Sequence, residues 1–394
     1  MFDLAAVQQA IRANNFDGWL LYDFRGLNVL AQRVVGLAEK KLSRRWFYFV
    51  PATGEPRKLA HAIEPASLDA LPGTDKTVYR RWQELEAGVQ QLLAGAKTVA
   101  MEYSARNGNP YVSRVDAGTV ELVRSLGVEV VSSGDLIQQF EATWDDEQER
   151  MHFAAEKVTA AAYGVAYQFI ADEIRAKGQT TEVAVQARIM KHFADHGCTT
   201  YSPPIVGVGP HSGDPHFDTS PATDSPIRKG DFVLIDLWAK LDQPRAVYSD
   251  LTRTVFVGET VPEKYTKIFN VVAAARDAAI AKVKDAFAKD EVLIGYMVDN
   301  ACRDVIEKAG YGQYFTHRTG HNIGQEVHGN GAHIDGLETK EDRRVMRRTC
   351  FSVEPGIYLP EFGVRSEVNV YIDAAGAVHV TGGALQTAVD TIAV

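Results

Sequence analysis

Apolar positions along this chain repeat with two different periods, one of strands and one of helices. In the first 140 or so residues, the short apolar runs Gly18 to Tyr22, Trp46 to Val50, Thr98 to Met101 and Val128 to Val131 read as strands. Between them, Leu4 to Ala13 and Trp82 to Leu93 carry helical spacing. Such alternation predicts an α/β domain. From Asp145 the texture changes. Asp146 to Lys177 is rich in good helix formers and free of proline, which predicts a helix of many turns closed by Gly178. Thr180-Thr181-Glu182 opens a second helix running to about His196. A loop rich in Gly, Pro, Ser and Asp then spans Ser202 to Asp224, and two strands follow, Phe232 to Trp238 and Ala246 to Val257.

The same order then recurs. Helical stretches Pro262 to Lys289 and Ile294 to Ala309 precede a Gly/His loop from Tyr311 to Gly336 and strands Cys350 to Leu359 and Gly363 to Ile372. The pattern predicts a duplication in architecture, as an order of elements: long helix, shorter helix, histidine-bearing loop, two strands.

Length and charge set limits. A chain of 394 residues exceeds one ordinary core and predicts two domains, placed at 1–144 and 145–394. A net charge of -9 argues against a nucleic-acid partner, so the clusters Lys40-Lys41/Arg44-Arg45 and Arg343-Arg344/Arg347-Arg348 read as solvated faces. Cys198, Cys302 and Cys350 are widely spaced and odd in number, which predicts no disulfide framework and a reducing compartment. Met1-Phe2-Asp3-Leu4 lacks a basic region followed by an apolar stretch, and no run approaches the roughly 20 apolar residues of a membrane helix. A cytoplasmic protein with no membrane contact is the expectation.

Chemistry enters with the acidic residues of the strand pairs. Asp236 and Asp250 stand 14 apart on the first pair, Glu354 and Glu367 13 apart on the second. If each pair is an antiparallel hairpin, its two carboxylates lie side by side, and a pseudo-twofold brings all four together. Four unpaired carboxylates in a partly buried site would take up protons, so a cation must compensate them. Two divalent ions fit that donor count, and an oxygen-rich set with one imidazole suits manganese, zinc or cobalt. Taken singly, Asp236 and Asp250 read as turn or surface residues, Glu354 as a strand-end charge, and Glu367 as a buried partner of Arg365 or an edge-strand charge. Their shared order in the two halves favours the metal. Six of the eleven histidines fall in the loops before these strands: His211 and His216, then His317, His321, His328 and His333. Imidazole can serve there as ligand or proton carrier.

The stretches Tyr248-Ser249-Asp250-Leu251-Thr252-Arg253-Thr254, Thr319-Gly320-His321-Asn322-Ile323-Gly324 with His328 following, Ser352-Val353-Glu354-Pro355-Gly356 and Gly363-Val364-Arg365-Ser366-Glu367 resemble the metallopeptidase family of methionine aminopeptidase, aminopeptidase P and Xaa-Pro dipeptidase (prolidase). The likeness covers about residues 145 to 385. It implies an α+β pita-bread catalytic domain with a pseudo-twofold repeat. Asp236, Asp250, His321, Glu354 and Glu367 would be the ligands of two divalent ions per subunit, manganese foremost, with Asp250 and Glu367 bridging. It further implies that His216 and His328 face the substrate, that Glu354 carries the proton, that His328 stabilises the oxyanion, and that His317 and Arg365 line the site in the proline-specific branch. The α/β domain in front favours that branch, hence a small peptide substrate with proline at the second position and a homodimer. Dipeptidase is favoured over aminopeptidase P. Creatinase, which shares the fold without these metals, and a silent peptide-binding module are the other readings; the five intact ligand types oppose both. Three positions depart from the family pattern: Trp238 where a small residue is common, Gly329 where an acid often follows the histidine, and Ser366 where an apolar residue is common.

Overall fold

The computed structural model describes residues 2–394. The chain divides into two compact units, Met1–Glu141 and Ala142–Val394. The first holds a six-stranded mixed sheet in the order Asp75–Tyr79, Arg57–His61, Trp46–Pro51, Gly18–Asp23, Thr98–Met101, Glu129–Ser132. Its central strand Gly18–Asp23 is buried throughout because both faces of the sheet are covered. Successive side chains point to opposite faces, so Trp19 and Leu21 enter one core while Leu20 and Tyr22 enter the other. The charged strands Arg57–His61 and Asp75–Tyr79 carry no apolar run, which is why the hydrophobic pattern does not reveal them.

In the second unit the helix Asp146–Lys177 starts with a capping box between Asp145 and Gln148 and ends at Gly178 with φ 80°. It and the helix Glu182–Asp195 cover the antiparallel strands Phe232–Leu241 and Ser249–Val257. The helices Glu263–Ala288 and Gly295–Lys308 cover the second strand set. Alternation then decides which residues face away from the helices. Val233, Ile235, Leu237, Leu251 and Val255 pack into the first helical core, which leaves Asp236, Trp238, Asp250 and Thr252 on the other side. Phe351, Val353, Val368 and Val370 pack into the second, which leaves Ser352, Glu354, Glu367 and Asn369 opposite.

Two expectations about the strands are corrected. The first hairpin pairs Asp236 with Thr252 and Trp238 with Asp250, so its two carboxylates share a face diagonally and do not stand side by side. The second pair is not two continuous strands but four short ones, Cys350–Val353, Gly356–Tyr358, Gly363–Arg365 and Val368–Ile372. The interruption falls at Glu354-Pro355 and Ser366-Glu367, where Pro355 has no N–H for the ladder. The freed backbone turns to its neighbours: Glu354 N donates to Thr319 O at 2.8 Å and Glu367 N to Thr252 O at 3.1 Å. Of the basic clusters, Arg343 is buried against Glu341 and caps the Asn330 and Gly331 carbonyls, so it belongs to the interior and not to a solvated face. All three cysteines are buried and free. No described helix is long and apolar enough to cross a membrane.

Candidate metal centre

Three of the five expected ligands converge closely: ligand atoms of Asp250, His321 and Glu367 lie within 4.8 Å of one another, all buried. Glu354 adjoins them, with Oε1 at 3.4 Å from His321 Nε2, which is itself 3.5 Å from Asp250 Oδ2. Asp236 is outside that three-residue group but near enough for its charge to act on Asp250, Glu354 and Glu367, and it is ion-paired through Oδ2 with Arg365. The arginine spans the site, donating also to Thr252 Oγ1 at 3.0 Å, Tyr358 Oη at 3.1 Å and Pro215 O at 3.2 Å.

The supporting residues come from the same alternation. Thr252, two after Asp250, donates to Glu367 Oε2 at 2.7 Å. Ser352, two before Glu354, donates to Glu354 Oε1 at 3.1 Å and accepts from His321 N at 3.0 Å. Asn369, two after Glu367, accepts from Asp250 N at 3.0 Å. Thr252 and Ser352 fall within the resembling stretches with no role given them there, and Asn369 falls outside; a period-two reading outward from each acid finds all three. Tyr358 had no such signal; it links His317 Nε2, at 2.7 Å, to Arg365.

The histidines separate into different tasks. His317 Nδ1 donates to Arg318 O at 2.7 Å, leaving Nε2 to accept from Tyr358. His328 is exposed at the rim, its ring edge-on to His321 with centroids 4.2 Å apart. His216 is also exposed; its ring makes no hydrogen bond among the described residues, while Pro215 beside it is held by Arg365. His211 is not at the centre: it pairs with Glu182 at 2.9 Å and stacks on Phe217. His333 Nδ1 accepts from Asn322 N at 3.0 Å, fixing the loop backbone beside His321.

Against this geometry the chain can be set beside known proteins. The model of metallopeptidase family M24 matches residues 149–374. The chain belongs to that family. A putative dipeptidase of Bacillus subtilis is 36% identical over 257 residues, 65% of this chain and 64% of that protein. An Xaa-Pro dipeptidase of Lactobacillus helveticus is 33% identical over 207 residues, 52% of this chain and 50% of that protein. The match thus spans half to just under two thirds of these relatives' length. The crystal structure of dipeptidase PepE from Mycobacterium ulcerans superposes with a TM-score of 0.67 at 24% identity, covering 99% of this chain and 97% of that one, a likeness of fold.

The donor set of this M24 chain fits a divalent cation on its own terms. Burial raises the Asp250 and Glu367 carboxyls well above the usual range, and the neighbouring carboxylates add to the effect. Burial raises Asp236 too, although the Arg365 charge pulls it back, and pushes Glu354 up to about 7. Burial would lower the Arg365 guanidinium, but Tyr358 and the surrounding acids hold it firmly protonated. Asp236 Oδ1 and Asp250 Oδ1 are buried with no hydrogen-bond partner, which is costly for a carboxylate unless something positive meets it. His321 Nδ1 lies 3.2 Å from Asn322 O, which assigns its proton to Nδ1 and turns the Nε2 lone pair toward two carboxylates. Burial, with the neighbouring His328, holds that imidazole well below its ordinary basicity. A neutral lone pair and acid oxygens aimed at one point suit a metal ion.

The departures from the family pattern have local causes. Trp238 is held by an aromatic group, with Tyr201 stacked on it at 5.9 Å and Tyr248 in the same cluster. At Gly329 a Cβ would lie 2.3 Å from Asn322 Oδ1, so no acidic side chain fits there. Ser366 accepts from the buried Arg276 at 2.6 Å, a bond an apolar residue could not give.

Proposed function

We propose that this chain is a metal-dependent peptidase hydrolysing the Xaa-Pro bond of small peptides, a dipeptidase before an aminopeptidase. The observation that carries the metal dependence is the convergence of Asp250, His321 and Glu367 with the unpartnered buried oxygens of Asp236 and Asp250. Proline at the second position is supported by membership of family M24 together with the Xaa-Pro dipeptidase relative. Two divalent ions held by Asp236, Asp250, His321, Glu354 and Glu367, manganese foremost with zinc or cobalt as alternatives, would supply charge compensation and Lewis-acid polarisation of the scissile carbonyl.

The chain's own groups do the rest. Glu354, with Oε1 at 3.4 Å from His321 Nε2, is placed to take a proton from the attacking water and return it to the proline nitrogen as it leaves. His328, at the rim beside His321, donates a hydrogen bond to the oxyanion as it develops. Arg365 and His317, joined through Tyr358, form a polar wall for the proline residue and its carboxylate. Burial and the Arg365 charge hold His317 down to about 3, so it serves there as a neutral hydrogen-bonding group. His216, next to the Pro215 carbonyl that Arg365 holds, would be the second substrate-facing histidine.

The test is an assay of metal-loaded protein on Ala-Pro and on a longer Xaa-Pro-Xaa peptide, with methionyl-Ala and a chelated sample as controls. Cleavage of Ala-Pro that stops with chelator is the expected result. Cleavage of the longer peptide alone makes it an aminopeptidase P, and no cleavage of either proline substrate with manganese, zinc or cobalt sinks the proline assignment.

A further inference from the structure

The helix Gly295–Lys308 carries a buried acid and a buried arginine one turn apart, Asp299 and Arg303. Burying a charge pair costs desolvation that an apolar pair of the same volume would avoid. The two are joined twice, Arg303 Nε to Asp299 Oδ2 at 3.0 Å and Arg303 Nη2 to Asp299 Oδ1 at 3.1 Å. Their remaining hydrogen bonds all go to one segment. Asp299 Oδ1 accepts from Thr319 N at 2.9 Å and from Thr319 Oγ1 at 2.6 Å. Arg303 donates to Phe315 O at 3.1 Å and to His317 O at 2.9 Å.

That segment feeds the centre in three directions. His317 itself reaches Tyr358. Thr319 O accepts from Glu354 N at 2.8 Å, at the point where the strand is interrupted. Two residues beyond Thr319 stands His321, its N–H bonded to Ser352 Oγ. Between them, Gly320 passes so close to the neighbouring strand that a Cβ would lie 1.9 Å from Ser352 O, so the path has no slack to absorb a shift.

We infer that Asp299 and Arg303 are positioning residues for the metal centre: a clamp on one helix that sets His321 and Glu354 through Thr319 and sets His317 through its carbonyl. The inference rests on the reading of those three residues as site residues. The two arms make separable predictions, because Asp299 acts through Thr319 on proposed metal ligands while Arg303 acts through His317 on a proposed substrate contact.

Three variants separate the clamp from general stability. Thr319→Val keeps shape and the Asp299–Arg303 pair but removes the hydroxyl donor. Arg303→Lys keeps the charge but cannot hold two carbonyls and both carboxylate oxygens at once. Ile306→Val, in the core on the same helix, is a packing change only. Manganese affinity by calorimetry on the chelator-stripped chain, and kcat and KM on Ala-Pro, are measured for each. Thr319→Val is expected to weaken manganese binding and lower kcat by about 10- to 100-fold, the usual range for groups that orient a ligand. Arg303→Lys is expected to raise KM by roughly tenfold with a smaller change in kcat. Ile306→Val should stay near the parent in all three. If Thr319→Val binds manganese as the parent does, the metal arm is overturned; if Arg303→Lys keeps the parent KM, the substrate arm is. Should the parent chain not cleave Ala-Pro, the proline reading fails, while manganese affinity in Thr319→Val still decides the metal arm.

Discussion

At the scale of single residues, the centre is a problem of excess negative charge solved locally in two ways. Arg365 already neutralises Asp236, and Tyr358 and Thr252 hold its guanidinium in place. Tyr358→Phe removes the hydroxyl joining Arg365 to His317, and kcat/KM on Ala-Pro is expected to fall about tenfold for a lost bond of roughly 1.4 kcal/mol, with manganese affinity in calorimetry little changed. The free Oδ1 of Asp236 and the other acids are left to protons or, in the proposed centre, to metal. Their carboxyls are raised in the folded state, so metal-free protein gains from them below the ordinary carboxylate range and loses that gain as pH climbs toward the folded values. For Glu354 the window runs from 4.5 to about 7. Thermal melts in chelator should therefore show stability falling between about pH 4.5 and 7, and the increment from added manganese growing over the same range. A chelated melt independent of pH across that window would remove the charge argument.

At the scale of elements, period-two alternation delivers the acids, and two interruptions aim them. Helical cores on Val233, Ile235 and Leu237 in one half and on Phe351 and Val353 in the other turn the intervening residues toward a common side. This much was legible, because apolar and acidic positions alternate in the sequence itself. The breaks at Glu354-Pro355 and Ser366-Glu367 were less so: Pro355 marks one in the sequence, but Val364 to Val370 reads as one strand, and the backbones of Thr319 and Thr252 take up the groups the open ladder frees. Gly320→Ala tests the closeness of that packing. Its Cβ would collide with Ser352 O, so a loss of about 1–3 kcal/mol and much weaker manganese binding are expected. Gly178→Ala, at the left-handed end of the helix Asp146–Lys177, should cost roughly 1 kcal/mol in a melt and leave manganese binding alone. Equal effects of the two on manganese would mean that Gly320 matters only for stability.

At the scale of the whole chain, the proposed acid ligands come from two strand sets more than a hundred residues apart, so binding a cation would tie the two halves of the second unit together. Manganese at about 100 times its Kd is expected to stabilise the folded chain by roughly 2.7 kcal/mol per site, read as a rise in Tm that chelator reverses. A Tm indifferent to manganese, zinc and cobalt would contradict the proposed centre. Short-range information sufficed for what is periodic or local: the alternating α/β texture of the first 140 residues, the capped helix from Asp146 to Gly178, the paired acidic strands and the motifs around Asp250, His321, Glu354 and Glu367. These depend on hydrophobic period, on helix-end chemistry and on residue type, all of which are written in consecutive positions. The tertiary structure alone decided that Asp236 pairs with Arg365, that His211 serves Glu182 and not the centre, that Ser366 answers the buried Arg276, and that Asp299 and Arg303 hold the histidine loop. Each of those contacts joins residues whose pairing depends on how distant elements pack, and no period or motif along the chain encodes that distance.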